Sequence, residues 1–285
     1  MLRHIGKDLH IYFRALPAQV LTAKLVGRWA AVTIEYLGAL LSCCVQYEHM
    51  TYPPYDGPLI EAYDSRFESV FVVLHPFVRV PEELAWRATR QYPNDEQTLA
   101  AGAKCTWAEV ALETRLRSCA KVNQALLTSI GSIADDVSDF EARDAMQRYL
   151  ESKPVWMPTE GRFEPLFQMD FLYAFEAAGK DELVFVPEFP DVNGVKHFEV
   201  ARLKSSAETF PSRGSLVAPD ESFLFTVDWD SFFTLFYGPR EFVADAVCRR
   251  NLEGFFANLT TEHFWFNYSM GCATVTISPE HWPAF

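Results

Sequence analysis

The sequence lacks the short motifs that mark the best-known catalytic sites. It contains no P-loop, no G-x-G-x-x-G dinucleotide fingerprint, no H-E-x-x-H pair and no G-x-S-x-G nucleophile elbow. Glycine is also sparse, with 13 residues in a chain of 285, whereas loops that cradle phosphate groups are rich in glycine. The motif search therefore provides no catalytic signature from which an activity follows.

Cysteine pairs with the spacing of metal or redox motifs are also absent. The cysteines are Cys43, Cys44, Cys105, Cys119, Cys248 and Cys272, and no two of them form a C-x-x-C pair. The first residues do not form a basic segment followed directly by an apolar run, as a secretory signal would. We therefore expect reduced thiols and a cytoplasmic location. We predict no metal site and no cofactor.

Long apolar runs free of charge are missing as well. The most apolar stretch, residues 25–45, is interrupted by Arg28 and Glu35. A spanning helix needs about 20 residues that are nearly free of charge. We therefore predict a core or surface helix here and no membrane span, with an interfacial anchor as the alternative.

Acidic residues outnumber basic ones, mostly in the C-terminal half. The formal net charge is −13, and residues 151–285 carry 10 basic and 20 acidic side chains. An acidic surface repels phosphate backbones, so we expect no nucleic acid as a direct ligand. The charge suits a basic protein partner, and it equally serves solubility.

The first 50 residues differ from the rest, because they carry 5 basic and 3 acidic side chains. Met50 is followed by the proline-rich string TYPPYDGP, which predicts an extended segment. We predict that residues 1–49 form a peripheral helical segment. Residues 50–285 then form a single α+β domain, helix-rich over 81–178 and sheet-rich over 181–285.

The periodicity predicts an α+β fold, with a helical N-terminal half followed by a mostly antiparallel sheet with packed helices. Helices are predicted over 163–178 and 239–250, and a short helical turn over 230–237. Strands are predicted at 70–74, 183–186, 195–203 and 222–229, with a terminal hairpin at 263–269 and 272–278. Residues 211–219 are predicted to form a loop.

Two carboxylates, Asp228 and Asp230, follow the predicted strand at 222–229. On a strand they share a face, about 6.8 Å apart, where they would bind a divalent cation or act as acid and base. The alternative is that one of them caps the helical turn predicted after it.

A second pair of candidates, Glu262 and His263, opens the predicted hairpin. His263 shares a strand face with Trp265 and Asn267, which is either a ligand-binding face or a solvated one. If Asp228 and Asp230 lie beside this hairpin, the carboxylates and the histidine converge on one site. That convergence would support a metal-assisted hydrolase.

Aromatic side chains are abundant, at 15% of residues with 24 Phe. Ligand pockets are lined mainly by apolar and aromatic groups. The candidate lining residues of an aromatic ligand pocket are Phe225, Trp229, Phe233 and Trp265.

The C-terminal third carries distinctive strings of residues. These are SFLFTVDWDSFFTLFYG at 222–238, PREFV directly after it, and EGFFA and TEHFWFNYS further on. On these strings the chain resembles an uncharacterised bacterial domain family of unknown function, most strongly over residues 160–285 and less over 60–160. The resemblance implies a bacterial cytoplasmic protein and no established activity, so no functional residue is carried over from it.

Three functions fit these observations. The first is a binding or interaction protein, for example of the immunity or defence type, because the chain is acidic, aromatic-rich and without a catalytic signature. The second is the metal-assisted hydrolase, and the third is the small-molecule binder with an aromatic pocket. The sequence does not decide between enzyme and binding protein, nor does it indicate an oligomeric state.

Overall fold

A computed structural model of the chain describes residues 47–55, 57–85, 92–190 and 194–265. Several predictions fall wholly or mostly outside these residues: the apolar helix over 25–45, the peripheral segment 1–49, the pair Cys43 and Cys44, Cys272, Asn267 and the terminal hairpin beyond Trp265.

The described residues form two antiparallel sheets. The strands are β1 (Ser69–Leu74), β2 (Phe77–Arg79), β3 (Ala103–Cys105), β4 (Val155–Trp156), β5 (Glu182–Pro187), β6 (Lys196–Glu199), β7 (Gly214–Val217), β8 (Leu224–Val227), β9 (Phe233–Gly238) and β10 (Gly254–Phe256). The main sheet has seven strands in the order β10-β1-β9-β8-β7-β5-β6, and the small sheet has three in the order β3-β2-β4. Each neighbouring pair is antiparallel.

Helices fill the connections between the strands. The α-helices of the described residues are α1 (Asp95–Ala101), α2 (Trp107–Glu113), α3 (Cys119–Ile130), α4 (Phe140–Ser152), α5 (Gln168–Ala177), α6 (Val200–Lys204) and α7 (Arg240–Arg250). Short 3-10 helices occupy Glu48–Met50, Leu59–Ser65, Glu82–Leu84 and Pro165–Phe167. Helices α1 and α2 begin at capping boxes, in which the side chains of Asn94 and Thr106 each accept from the backbone N–H three residues further on.

The centre of the main sheet is buried on both faces. Strand β1 reads SVFVVL and β9 reads FTLFYG, and every residue of both strands is buried. Such continuous apolar runs, without the alternation of a half-exposed strand, are typical of strands covered on both sides. The two strands pair over six residues, from Ser69 opposite Gly238 to Leu74 opposite Phe233.

One face of the sheet packs against helices α5 and α7 through a phenylalanine cluster. Phe225 of β8 stacks on Phe236 of β9 with ring centroids 4.1 Å apart, and Phe171 of α5 lies 4.7 Å from Phe225. Val243 of α7 is fully buried in the same cluster. Aromatic pairs in these geometries add about 0.5–1.5 kcal/mol each beyond the area that they bury.

The other face of the sheet is covered by the segment that leads into β1. The Tyr237 hydroxyl of β9 donates to the Leu59 carbonyl at 2.9 Å, and the Leu59 N–H donates to the Thr261 carbonyl at 2.8 Å. The Tyr63 ring contacts the Tyr237 ring edge-on, with centroids 5.1 Å apart. Leu59 and Tyr63 of this segment therefore lie over Tyr237, near the end of β9.

A buried carboxylate joins three elements on the helical side. Asp170 of α5 is 5% exposed and accepts from Lys104 of β3 at 2.8 Å and from Arg250 of α7 at 2.7 Å. Because both cations approach one buried carboxylate, the contact fixes the small sheet and the last turn of α7 relative to α5.

The α+β fold with a mostly antiparallel sheet is confirmed, but several elements differ from the predictions. Residues 230–237 contain no helical turn, because Phe233–Gly238 is a central strand. The loop predicted at 211–219 contains strand β7, and the strand predicted at 195–203 ends at Glu199, where α6 begins. Strand pairing decides the first two, since residues with no strong local periodicity gain backbone hydrogen bonds from a neighbouring strand, whereas residues after Glu199 have no partner strand and form a helix.

No helix in the described part of the chain is long and apolar enough to cross a membrane. Cys105 and Cys248 are free thiols. The expectation of reduced thiols therefore holds for these two cysteines.

Candidate functional site

A cleft of about 330 Å³ opens at the end of β8. One wall is the segment Thr51–Tyr55, which we call the strap. The opposite wall consists of Glu188, Gly214, Val227 and Asp228, which follow or belong to strands β5, β7 and β8. The cleft therefore lies between an extended segment and one end of the main sheet.

The strap is held in place by tyrosine hydroxyls and by a buried anchor. The Tyr63 hydroxyl donates to the Thr51 carbonyl at 2.7 Å, and the Tyr47 hydroxyl donates to the Pro219 carbonyl at 3.0 Å. Met50, directly before the strap, is fully buried. Pro53 and Pro54 restrict the backbone between these anchor points to extended conformations. These contacts hold the strap in a defined position against the sheet.

Asp228 lies in a tight turn between β8 and β9. The Asp230 N–H donates to Asp228 Oδ2 at 3.4 Å, and the Ser231 hydroxyl donates to the Asp228 carbonyl at 2.9 Å. The alternative in which Asp228 or Asp230 caps a helix is therefore wrong, because the segment that follows is β9. The turn places the Asp228 side chain, 7% exposed, at the wall of the cleft.

Tyr55 of the strap reaches across the cleft to Asp228. Its hydroxyl donates to Asp228 Oδ1 at 2.7 Å. Burial raises the pKa of the Asp228 carboxyl above its ordinary value, and the hydrogen bond from Tyr55 offsets part of that rise. Burial and the Asp228 carboxylate together raise the pKa of Tyr55, so its hydroxyl stays protonated and acts as a donor.

His263 extends this network behind the strap. Its Nδ1 lies 2.7 Å from the Tyr52 hydroxyl, and its Nε2 lies 3.6 Å from Asp228 Oδ2. The Tyr55 ring stacks on the imidazole with centroids 4.2 Å apart. Burial lowers the pKa of His263 to about 4, so the ring is neutral near pH 7. Tyr52 donates to Nδ1 when the proton of the neutral ring is on Nε2, and the Nε2–H then points towards the carboxylate without reaching hydrogen-bond distance.

Two glycines allow backbone segments to approach closely beside the cleft. At Gly214 the backbone has a φ of 134°, and a Cβ there would lie 2.2 Å from the Val186 carbonyl oxygen. At Gly161 a Cβ would lie 2.0 Å from the Trp229 carbonyl oxygen, in the turn that carries Asp228. Only glycine permits these close approaches.

The structure brings two of the four candidate catalytic residues together. Asp228 and His263 are both buried and face each other. Asp230 stands at the rim, close enough for its charge to raise the pKa of Tyr55 and of Asp228. Glu262 is exposed to solvent, whereas Asp228 and His263 are buried. His263 lies in a bend, not in the strand predicted to start there.

The four candidate aromatic residues do not form one pocket. Phe225 lies in the phenylalanine cluster on the helical face of the sheet, whereas Phe233 contacts His263 on the other face. Trp265 is fully buried against Phe233, and Trp229 is 56% exposed on the turn. The alternation of side chains along strands separates Phe225 from Phe233.

Sequence reasoning missed Tyr52, Tyr55 and Glu188. The string TYPPY at 51–55 carries a signal in hindsight, since prolines stiffen a segment that presents two tyrosines. Glu188 carries none, because it is one of many acidic residues and only the end of β5 places it at the cleft.

Metal ligands do not accumulate at this site. Across the described ranges, no group of three or more His, Cys, Asp or Glu side chains is arranged to hold a metal ion. Asp228 and His263 provide two such side chains, whereas zinc sites use three or four.

A family model matches residues 55–267, more than half of the chain, and its description reads "Protein of unknown function (DUF2711)". The chain belongs to this family. The matched range of the DUF2711 family includes Tyr55, Asp228 and His263 and begins after Tyr52.

A bacterial relative supports the same assignment. The chain is 19% identical over 218 residues to the "Uncharacterized protein YwbB" of Bacillus subtilis (strain 168), a stretch that covers 74% of this chain and 96% of the relative. No solved structure matches the chain. The DUF2711 assignment thus brings no established activity with it.

Proposed function

We propose that this protein is a binding protein, and that the cleft beside the strap receives a polar group of its ligand. The observation that carries the proposal is a network at the wall of an open cleft of about 330 Å³, in which Tyr52 is hydrogen-bonded to His263, Tyr55 is hydrogen-bonded to Asp228, and His263 faces Asp228 at 3.6 Å. Ligand sites are concave and place a few polar groups among apolar ones. The strap and the β8–β9 turn provide this combination.

The network supports binding more than chemistry. The neutral His263 and the donor hydroxyls of Tyr52 and Tyr55 are pre-organised by one another, and pre-organisation lowers the entropic cost of binding. A nucleophile would need an activated side chain, but the pKa values of both tyrosines are raised.

The metal-assisted hydrolase has less support. It requires Asp228, Asp230, Glu262 and His263 around one ion, yet Glu262 is exposed while Asp228 and His263 are buried. Within the described residues no set of three metal-ligating side chains is present.

A protein partner is one kind of ligand that this binding function would include. The net charge of −13 favours a basic partner over nucleic acid, and a cytoplasmic location, which also remains a proposal, would provide such partners. An immunity or defence role is a narrower form of this hypothesis.

A ligand-observed NMR screen tests the proposal. The panel contains small amines, carboxylic acids, alcohols and neutral amides, each measured against the wild type, Asp228→Asn and the control Glu262→Gln. We expect at least one class to bind the wild type and the control, and to lose its binding signal with Asp228→Asn. Binding that is identical for all three proteins, or no binding in any class, would show the proposal to be wrong.

A further inference from the structure

The charges around the cleft select the kind of group that it would accept. Two of its wall residues, Glu188 and Asp228, are acidic, and the residues that line it include no basic side chain. Asp230 adds a third negative charge nearby, and this charge raises the pKa of Tyr55. Arg213 directly precedes the lining residue Gly214 in the chain, but its side chain is exposed. Its charge lowers the pKa of Glu160, which does not line the cleft.

Asp228 keeps acceptor capacity although it is buried. Its Oδ1 accepts from Tyr55 at 2.7 Å, while Oδ2 accepts a long hydrogen bond of 3.4 Å from the Asp230 N–H. An ionised carboxylate offers about four acceptor sites. The neutral His263, 3.6 Å from Oδ2, does not neutralise the carboxylate. A buried anion without a cationic partner is costly, and a ligand cation would relieve that cost.

Aromatic and proline surfaces complete the surroundings. The strap presents the Tyr55 ring, 46% exposed, beside Pro53 and Pro54. Trp229 and Phe189, the neighbours of Asp228 and Glu188 in the chain, are 56% and 60% exposed. Aromatic faces attract ammonium and guanidinium groups.

We propose that the cleft binds an alkylammonium or guanidinium group, held between the carboxylates of Asp228 and Glu188 and against the Tyr55 ring. This inference rests on the proposed binding function and names the chemical class of its ligand. Two sources provide such a group, namely a small organic amine and a lysine or arginine side chain of a basic protein.

The test is a titration of the full-length, ¹⁵N-labelled protein at low salt, followed by the backbone amide signals of Tyr55, Gly214 and Asp228. The probes are butylamine and butylguanidine, with butanol and butyrate as compounds of the same chain length and different charge. We expect the two cations to shift these signals in a saturable way and the two other compounds to leave them unchanged. Added salt should weaken the binding, because it screens the charge attraction.

Matched variants locate the interaction. Glu188→Gln and Asp228→Asn each remove one negative charge from the cleft, and we expect a loss of affinity of about tenfold. Glu262→Gln removes one charge from an exposed position next to His263, and its affinity should stay within about twofold of the wild type. Since Asp228→Asn perturbs a buried network, its melting curve is recorded, and Glu188→Gln keeps the test valid if Asp228→Asn does not fold.

The outcomes separate this inference from the proposed function. If butyrate or butanol shifts the cleft amides as strongly as butylamine, the cleft binds ligands and the cation inference is wrong. If none of the four compounds shifts them, the cation inference is wrong, and the ligand screen with its neutral amides then decides the proposed function separately. A tetralysine peptide distinguishes the two sources: binding at least tenfold tighter than that of butylamine per amino group indicates a basic protein, and equal binding indicates a small amine.

Discussion

The hydroxyl of Tyr55 donates to Oδ1 of Asp228 at 2.7 Å although the two residues are 173 positions apart in the chain. The same tyrosine stacks its ring on His263. One side chain therefore holds the strap against the sheet, donates to a buried carboxylate and covers a neutral imidazole. Its hydroxyl and its ring make separate contributions, which different mutations can distinguish.

Tyr55→Phe should remove the hydrogen bond and keep the stacked ring. The pKa of Asp228, which this bond lowers, should then rise, and the free energy of unfolding should fall by about 1 kcal/mol. The carboxyl ¹³C signal of Asp228 followed against pH reports the first effect, and urea unfolding reports the second. Glu262→Gln is the control, because it changes an exposed side chain next to His263 and keeps the bond from Tyr55 to Asp228. An unchanged titration of Asp228 would contradict the assigned bond.

His263 should remain neutral well below the usual titration range of histidine. Burial lowers its pKa to about 4, so the ¹³C signal of Cε1 should change with a midpoint near that value. Disruption of the strap by Tyr55→Ala exposes the ring and should move the midpoint back towards about 6.5. A midpoint near 6.5 in the wild type would show that the ring is not buried in solution.

His75 should make the stability depend on pH in a definite direction. Burial lowers its pKa to about 4, and its Nδ1–H donates to the Thr159 carbonyl while Nε2 accepts from the Thr234 hydroxyl. Because the folded pKa lies below the unfolded value of about 6.5, the unfolded state takes up a proton first as the pH falls. The stabilising contribution is therefore present above pH 6.5 and is lost towards pH 4.

The comparison of the wild type with His75→Gln isolates this effect. Buried carboxyls with raised pKa values change the pH dependence of stability in the opposite direction, but they are common to both proteins. Between pH 7 and pH 5 the wild type should lose about 2 kcal/mol more of its free energy of unfolding than the variant. Parallel curves from denaturant unfolding would contradict the prediction.

Gly161→Ala should be far more disruptive than Gly179→Ala, although both glycines have a positive φ of nearly the same size. Their φ values are 64° and 67°, so the intrinsic cost of about 1 kcal/mol is shared. Only at Gly161 would the new methyl group collide with the turn at Trp229. We expect an additional loss of about 2 kcal/mol and shifted amide signals around Asp228. Equal melting temperatures for the two variants would exclude this close approach.

Asp170→Asn should destabilise the fold more than Asp245→Asn. Asp170 is buried between Lys104 and Arg250, whereas Asp245 pairs with Arg249 one turn away on the exposed face of α7. Since both cations are over one third exposed, we expect a loss of about 2 kcal/mol at Asp170, and less than about 0.5 kcal/mol at Asp245. Denaturant midpoints of the two variants provide the comparison, and equal midpoints would overturn the structural role of Asp170.

A chain that begins at Tyr47 should still unfold in a single cooperative transition. The prediction that residues 1–49 are peripheral remains open, and the buried side chains of Tyr47 and Met50 place the better cut just before Tyr47. A chain that begins at Thr51 serves as the comparison and should be less stable, because it loses both. Failure of the Tyr47 chain to fold would make the N-terminal residues part of the core.

Local signals were sufficient for the elements that carry their own pattern. The apolar run of β1 and the helix after Pro239 with Arg249 and Arg250 in its last turn follow from propensity and dipole. Strands β7 and β9 did not follow, because the same composition forms a loop or a turn unless a partner strand is in register. The helix predicted after Asp230 failed for this reason.

By itself the sequence determined the fold class, the acidity and two members of the candidate site, Asp228 and His263, because residue types and local periodicity are properties of the chain. Only the tertiary structure decided that Tyr52 and Tyr55 join them, since these contacts bridge 211 and 173 positions. It also decided the neutrality of His263 and the raised pKa of Asp228. Burial sets both, and burial depends on which segments fold over the end of the sheet.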